Sequence, residues 1–257
     1  MESLKKAIDA FVNAFKIADL RKKLLFTLGV LIIYRIGAHI TIPGVNSAVL
    51  GEYFRNSNNL FGLYDSFTGG AFAKATVFAL GIMPYISASI IIQLMGAVIP
   101  AIQMLQKEGQ EGRAKLNQYT RYFTVVLAAL QGWGVSVWLS NLKVTTAAGT
   151  GISVLLDDFA SGMGNIGFRL LATLTFTTGT IFVMYLGEQI TSRGVGNGIS
   201  LIIFAGIVGG LPRAVFAELE MLVNDIQPLA IEIFILALVV AIVGFIVFVE
   251  QANRRIP

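Results

Sequence analysis

The side chains that could do chemistry in this chain are few and scattered. There is one histidine, His39, and no cysteine, so the chain offers nothing from which to assemble a thiolate nucleophile, a zinc centre or haem ligation. His39 has no nucleophile to activate and no carboxylate beside it, so no triad-like set forms around it. Asp157 and Asp158 are adjacent; on a helix or a strand they project in different directions and make no metal-binding pair. The run Gly194-Val195-Gly196-Asn197-Gly198-Ile199-Ser200 has the glycine content of a phosphate loop. It lacks the preceding strand, the Lys-Ser/Thr ending and the dinucleotide spacing, and a tight glycine-rich turn accounts for it. Arg35 and Glu232 stand inside otherwise apolar stretches. Ionisable groups there mark ion paths or reach back to the headgroups; each lies within about two turns of the outer end of its stretch, which favours snorkelling. No enzyme, cofactor or metal is expected from this set.

The elements that carry these residues are apolar. Of 257 residues, 55% are hydrophobic and 13% charged, about half the charge of an ordinary soluble domain. A water-soluble enzyme, a disordered tail and a secreted disulfide scaffold are thereby excluded. A hydrocarbon core about 30 Å thick takes roughly 20 apolar residues in helix, and six stretches come close: 24–42, 75–100 with Pro84 inside it, 122–142, 170–187, 194–212 and 228–249. If they alternate across the bilayer, thirteen Lys and Arg residues fall on one side and five on the other, with Arg35 inside a span. The richer side is cytoplasmic, so both ends of the chain are expected there. The net charge of +4 then reports topology rather than nucleic-acid binding. The charged region ahead of Leu24 is too long for a cleaved signal peptide. Leu4, Ile8, Phe11, Val12 and Phe15 share a helical face, which predicts an amphipathic helix in the cytoplasmic interface over residues 1–23.

Between the first two spans, Leu60, Leu63, Tyr64 and Phe67 recur at helical spacing after the capping candidates Asn58 and Asn59. Eight helical residues rise only about 12 Å, too little to cross, and Gly69-Gly70 supplies a hinge. Composition leaves this helix a choice between the membrane surface, which it slightly favours, and the protein interior. In the second span Gly81, Ser87, Ala88 and Ser89 permit close helix approach, and Ile82 and Ile86 share a face. The stretch 106–117 reads as a solvated loop. Residues 144–168 read as an outer loop or a half-buried helix.

Several of these motifs resemble one family. They are Arg35-Ile36-Gly37 with Ile42-Pro43-Gly44, the run Phe78-Ala79-Leu80-Gly81-Ile82-Met83-Pro84-Tyr85-Ile86-Ser87-Ala88-Ser89-Ile90, and Lys107-Glu108-Gly109 through Gln118-Tyr119-Thr120-Arg121. Gly187-Glu188-Gln189-Ile190-Thr191, the glycine turn, Phe204-Ala205-Gly206-Ile207-Val208 and Arg254-Arg255-Ile256-Pro257 continue the pattern. Together they resemble the SecY family, the central subunit of the bacterial Sec protein-translocation channel. The resemblance implies an all-α polytopic protein of the bacterial inner membrane, the first half of a ten-helix pseudo-symmetric clamshell, with six transmembrane helices and a short re-entrant plug helix. It implies a five-helix half over 24–212, a plug at 60–74, an outer hinge loop at 213–227, and a sixth span with the start of a cytoplasmic loop at 228–257. The family's last four spans and its motor-docking loops would lie outside this chain. In the plug it places Leu60, Phe61, Leu63, Tyr64, Phe67, Gly69 and Gly70, and so decides for the interior. It assigns Ile82, Ile86 and Ile203 to an apolar pore ring, and Met83, Ser87, Ile90 and Ile91 to one wall of a lateral gate. The function implied is passage of unfolded polypeptides across the membrane and lateral release of apolar segments into it. The implied partners are SecE-like and SecG-like small membrane subunits, a SecA motor ATPase or a ribosome, a translocating polypeptide or signal sequence, and the lipid bilayer, with no nucleic acid bound directly. The alternative is half of a secondary transporter, which would need convergent polar groups near the midplane of spans two to five; a membrane-embedded enzyme would need a paired acid and base.

Overall fold

The computed structural model describes residues 17–56, 60–145, 151–160, 162–224 and 229–251. The amphipathic helix expected from Leu4 to Phe15 lies outside the described residues. The described chain is helical apart from a small hairpin, and it divides into two compact units, one ending at Gly209 and one beginning at Gly210.

In the first unit, α1 (Ala18–Gly37) has Asp19 in its first turn and Arg35 in its last, charges that complement its dipole. After it come α2 (Ser47–Asn56) and α3 (Leu60–Thr68). The second span is shorter in helix than its apolarity suggests. Residues 71–82 form a chain of turns, and α4 (Met83–Val98) starts only where Pro84 can occupy its first turn, a position whose amide has no helical acceptor to lose. Pro84 is therefore a helix start, not a kink inside a span. At Ile99 the chain turns by 103° into α5 (Pro100–Lys107), again with proline at the helix start.

The solvated loop expected at 106–117 contracts to a turn at Glu108–Gly109, with Gly109 at φ +73°. The 32-residue α6 (Gln110–Asn141) follows, about 48 Å long at 1.5 Å per residue. Lys143–Thr145 (β1) and Gly151–Ser153 (β2) pair antiparallel, Val144 opposite Ile152, and α7 (Asp157–Ala160) follows. The 32-residue α8 (Gly162–Arg193) begins eight residues before the apolar stretch expected there, and Arg121 on α6 bridges to Glu188 on α8 at 2.6 Å. The glycine-rich stretch after α8 is the tight turn expected of it. Gly196 takes φ +73°, Val195 and Gly198 donate their amides to Thr27 Oγ1 and Thr191 Oγ1 at 3.2 and 2.9 Å, and the Asn197 side chain caps the next helix.

That helix, α9 (Gly198–Val208), is only 11 residues, about 16 Å, because Gly209-Gly210 follow; a span over 194–212 is not continuous helix. In the second unit, α10 (Leu211–Val223) is helical through most of the stretch assigned to the outer hinge loop, and α11 (Leu229–Gln251) is strongly apolar. Among the described residues α6, α8 and α11 are each long and apolar enough to cross a membrane, and the bent pair α4–α5 meets the same test as one unit.

The first unit has two apolar cores. One gathers Leu50, Phe72, Leu80, Leu139, Val154, Phe168 and Phe176, joining α2, the hairpin, α6 and α8. The other gathers Val30, Tyr34, Phe78, Ile82, Val183, Ile190 and Ile202, joining α1, α8, α9 and the turns ahead of α4.

Candidate functional site

The nine residues of α3 and the turns after them lie between these two cores. Gly69 and Gly70 adopt φ +67° and +87°, the left-handed region in which a Cβ is strained. They form a bonded turn and not a loose hinge. Gly70 N donates to the Asp65 carbonyl at 3.0 Å, Ala73 N to Asp65 Oδ1 at 2.7 Å, and Phe72 N to Thr68 Oγ1 at 3.3 Å. Burial pushes the Asp65 carboxyl above the usual carboxylate range, opposed by the amide hydrogen bonds, Thr68 and the charge of Lys74.

The helix itself is held mainly by polar and backbone contacts. Tyr64 Oη donates to Leu80 O at 3.0 Å, Tyr34 Oη to Thr68 O at 3.5 Å, and Arg35 Nη1 to Gly69 O at 3.1 Å. Against α9 the two backbones nearly touch. A Cβ on Gly206 would sit 2.8 Å from Phe67 O, and one on Gly69 would sit 2.7 Å from Gly206 O and 2.6 Å from Arg35 Nη1. Of the residues assigned to the plug, Phe61 and Tyr64 enter the aromatic group around Phe72. Leu63 is 65% exposed and Phe67 47%; the Leu60 side chain lies outside the described residues.

The three isoleucines assigned to the pore ring all border the second core: Ile82 lies in it, and Ile86 and Ile203 are partly buried against it. Ile82 caps the N-terminus of α4, Ile86 follows one turn on, and Ile203 projects from α9; Val183 and Ile202 belong to the same core. Ile86 N donates to Ile82 O at 3.1 Å, so the spacing of four is kept although Ile82 precedes the helix proper.

An apolar cavity of about 430 Å³ lies between α3, α4 and α6, with Phe61, Tyr64, Phe72, Leu80, Met83, Ser87 and Trp138 in its wall. Phe72 stacks on Trp138 and Phe61 (centroids 5.9 and 6.0 Å) and meets Phe54 and Tyr64 edge-on, the favoured aromatic geometries. Met83 and Ser87 of the lateral-gate set face this cavity. Ile90 and Ile91 lie farther along α4 and do not line it; Ile90 is 52% exposed.

Sequence reasoning singled out neither Asp65, Phe72 nor Trp138, and it took Arg35 for a snorkelling side chain. The spacing of Asp65 to Ala73 carries no motif. The available signal at Arg35 was a guanidinium one turn from the end of an apolar helix. In the fold it turns inward to a carbonyl of the segment after α3.

A family model described as SecY matches residues 76–257. The protein translocase subunit SecY of Streptomyces scabiei is 46% identical over 254 residues, covering 97% of this chain and 56% of the relative. That of Pseudomonas aeruginosa is 48% identical over 252 residues (97% and 53%), and that of Escherichia coli K12 is 44% identical over 241 residues (93% and 52%). The chain thus spans about half the length of the curated relatives it matches. Among solved structures, Sec61 in the canine ribosome-channel complex from the endoplasmic reticulum superposes with TM-score 0.60 at 20% identity, covering 92% of this chain and 49% of that one. A protein-conducting channel superposes with TM-score 0.55 at 20% identity, covering 81% and 42%. Both share the fold.

Proposed function

This chain belongs to the SecY family, and on that premise we propose that it builds one half of a protein-conducting channel: unfolded polypeptides pass through it, and apolar segments leave it sideways into lipid. Relatives named as protein translocase subunits support this reading for a multi-pass membrane protein; no match supports the half-transporter alternative. The observation that carries it is that Ile82 lies in, and Ile86 and Ile203 pack against, one apolar core next to a short, glycine-terminated helix.

Branched apolar side chains at a constriction hold water poorly and ions not at all, so they gate by dewetting. They form no hydrogen bond with a passing chain, which makes the constriction indifferent to its sequence. In this reading α3 is the plug, closing the funnel next to the ring when the channel is idle. Met83 and Ser87, with Ile90 and Ile91 farther along α4, form one wall of the lateral gate. Partition through that gate follows side-chain transfer: about −0.3 to −0.6 kcal/mol for a central Leu or Ile against about +2.5 to +3.5 for a charge. Some twenty such residues decide between insertion and secretion without a catalytic group. The driving energy belongs to a partner, a SecA motor or a ribosome, and SecE-like and SecG-like subunits complete the membrane complex. The charge asymmetry of thirteen against five orients both ends of the chain to the cytoplasm.

The test is the idle conductance of the complete channel in a planar bilayer with Ile82→Asn and Ile86→Asn combined. Conductance rises if these side chains form the seal. Unchanged conductance in an assembled channel overturns the assignment.

A further inference from the structure

Three helices end around one guanidinium. Arg35 is in the last turn of α1, which closes at Gly37; α3 closes at Thr68; α9 closes at Val208. A helix C-terminus carries unpaired carbonyls and a partial negative charge, so carbonyl ends converging here call for a cation. Arg35 Nη1 donates to Gly69 O, the first carbonyl beyond α3, at 3.1 Å. At the end of α9 a Cβ on Gly209 would fall on the guanidinium itself. The end of α1 is closed by His39, whose Nδ1 lies 2.8 Å from Arg35 O. Among the described residues no carboxylate pairs with Arg35; the Gly69 carbonyl answers its charge.

We infer that Arg35 is the positioning residue that holds α3 against the end of α9 in the resting channel, acting through its charge on these converging helix ends. The inference rests on the reading of α3 as the plug. Because the guanidinium grips a backbone carbonyl, the hold does not depend on the side chains of α3, and it is released when Gly69 moves away and restored when it returns. A charge-assisted hydrogen bond of this kind is roughly twice as strong as a neutral one, yet it is a single bond, which suits a latch that opens in each transport cycle.

The experiment uses the complete, reconstituted channel with Arg35→Gln, Arg35→Lys or Gly209→Ala, reading amide hydrogen exchange over residues 65–73 together with idle conductance. Arg35→Gln should speed exchange at the Gly70 and Ala73 amides by about 10- to 100-fold while α6 and α8 keep their protection. Arg35→Lys, which keeps the charge, should recover part of that protection. Gly209→Ala keeps Arg35 but evicts its head group and should resemble Arg35→Gln; it decides alone if Arg35→Gln fails to assemble. Native protection in Arg35→Gln, or in Gly209→Ala, overturns the inference, as does an Arg35→Lys channel no better protected than Arg35→Gln. Faster exchange without a rise in idle conductance leaves the latch standing and removes the plug reading of α3.

Discussion

Adding one methyl group at Gly69 or at Gly70 separates two effects that are usually entangled. Both residues sit at positive φ, +67° and +87°, so alanine at either is strained by about 1–2 kcal/mol, offset by about 0.4–1 kcal/mol from a less flexible unfolded chain. Gly70 has open space around its Cβ position, and the net effect of Gly70→Ala should be about 1 kcal/mol. At Gly69 the new methyl would lie 2.7 Å from Gly206 O and 2.6 Å from Arg35 Nη1, and the Gly206 carbonyl is backbone that cannot swing aside. Relieving that contact moves α3 away from α9 by more than half an ångström. Overpacking of this sort costs about 1–3 kcal/mol, so Gly69→Ala should total about 2–4 kcal/mol. The difference between the two variants, about 1–3 kcal/mol, is roughly a 5- to 150-fold change in the undocked population. Hydrogen exchange at Ala73, whose amide is bound to Asp65 Oδ1, reads that population in the complete channel. Equal protection in Gly69→Ala and Gly70→Ala would refute the backbone-to-backbone seating of α3 on α9.

Phe72 is buried among four aromatic side chains, Phe54, Phe61, Tyr64 and Trp138. Phe72→Ala should lower stability by about 3–5 kcal/mol, read as a fall in the thermal unfolding temperature of the purified complex. The raised Asp65 pKa makes docking of α3 pH-dependent. The docked state binds the proton more tightly than the free segment, so its contribution is fully present below the ordinary value of 3.8 and is lost as the pH rises through the raised one. Exchange at residues 65–73, corrected for intrinsic rates, should slow on acidification, and Asp65→Asn should abolish the trend. Asn197 accepts from the amides of Ile199 and Ser200 at 3.1 and 3.3 Å. Asn197→Ala should destabilise the start of α9 by about 1 kcal/mol, seen as faster exchange at those two amides.

Apolar run length made the long helices readable in sequence, and so α6, α8 and α11 fall close to where they were expected. Composition did not reveal where helix stops inside an apolar run. Residues 71–82 are as apolar as a helix, yet the Thr76 hydroxyl turns back to the Ala71 carbonyl, the Thr76 amide bonds the same carbonyl, and Thr41 bridges Thr76; these local bonds compete with the helical ladder, and Gly81 at φ +55° admits the turn that starts α4. Pro84, which composition puts inside a span, and Pro100, at the expected end of that span, are both helix starts. Within the site, spacing brought Ile82 and Ile86 together and the resemblance supplied Ile203. Arg35, Asp65 and Phe72 act on partners 34, 8 and 66 positions away, respectively Gly69, Ala73 and Trp138, and no periodicity encodes such pairings.

The way α3 is held bears on what a plug must do. A helix that buried its whole apolar face would gain about 1.5–3 kcal/mol for each large side chain and would leave its seat rarely. Within this chain Phe61, Leu63 and Phe67 remain 41%, 65% and 47% exposed, so this half contributes little of that gain. Besides the close backbone approach to α9, α3 is held by the hydrogen bonds from Tyr34, Arg35 and Tyr64 and by the rings of Phe61 and Tyr64 against Phe72. A hydrogen bond contributes about 0.5–1.5 kcal/mol net, or about 1.5–3 when charged, which places the docking contribution of these three bonds at about 3–6 kcal/mol before ordering entropy is subtracted. If α3 is the proposed plug, holding of that modest strength lets a polypeptide entering beside the isoleucines displace it by supplying only a few kcal/mol of its own contacts. A plug bound by its full apolar face would seal better and open too slowly to serve transport.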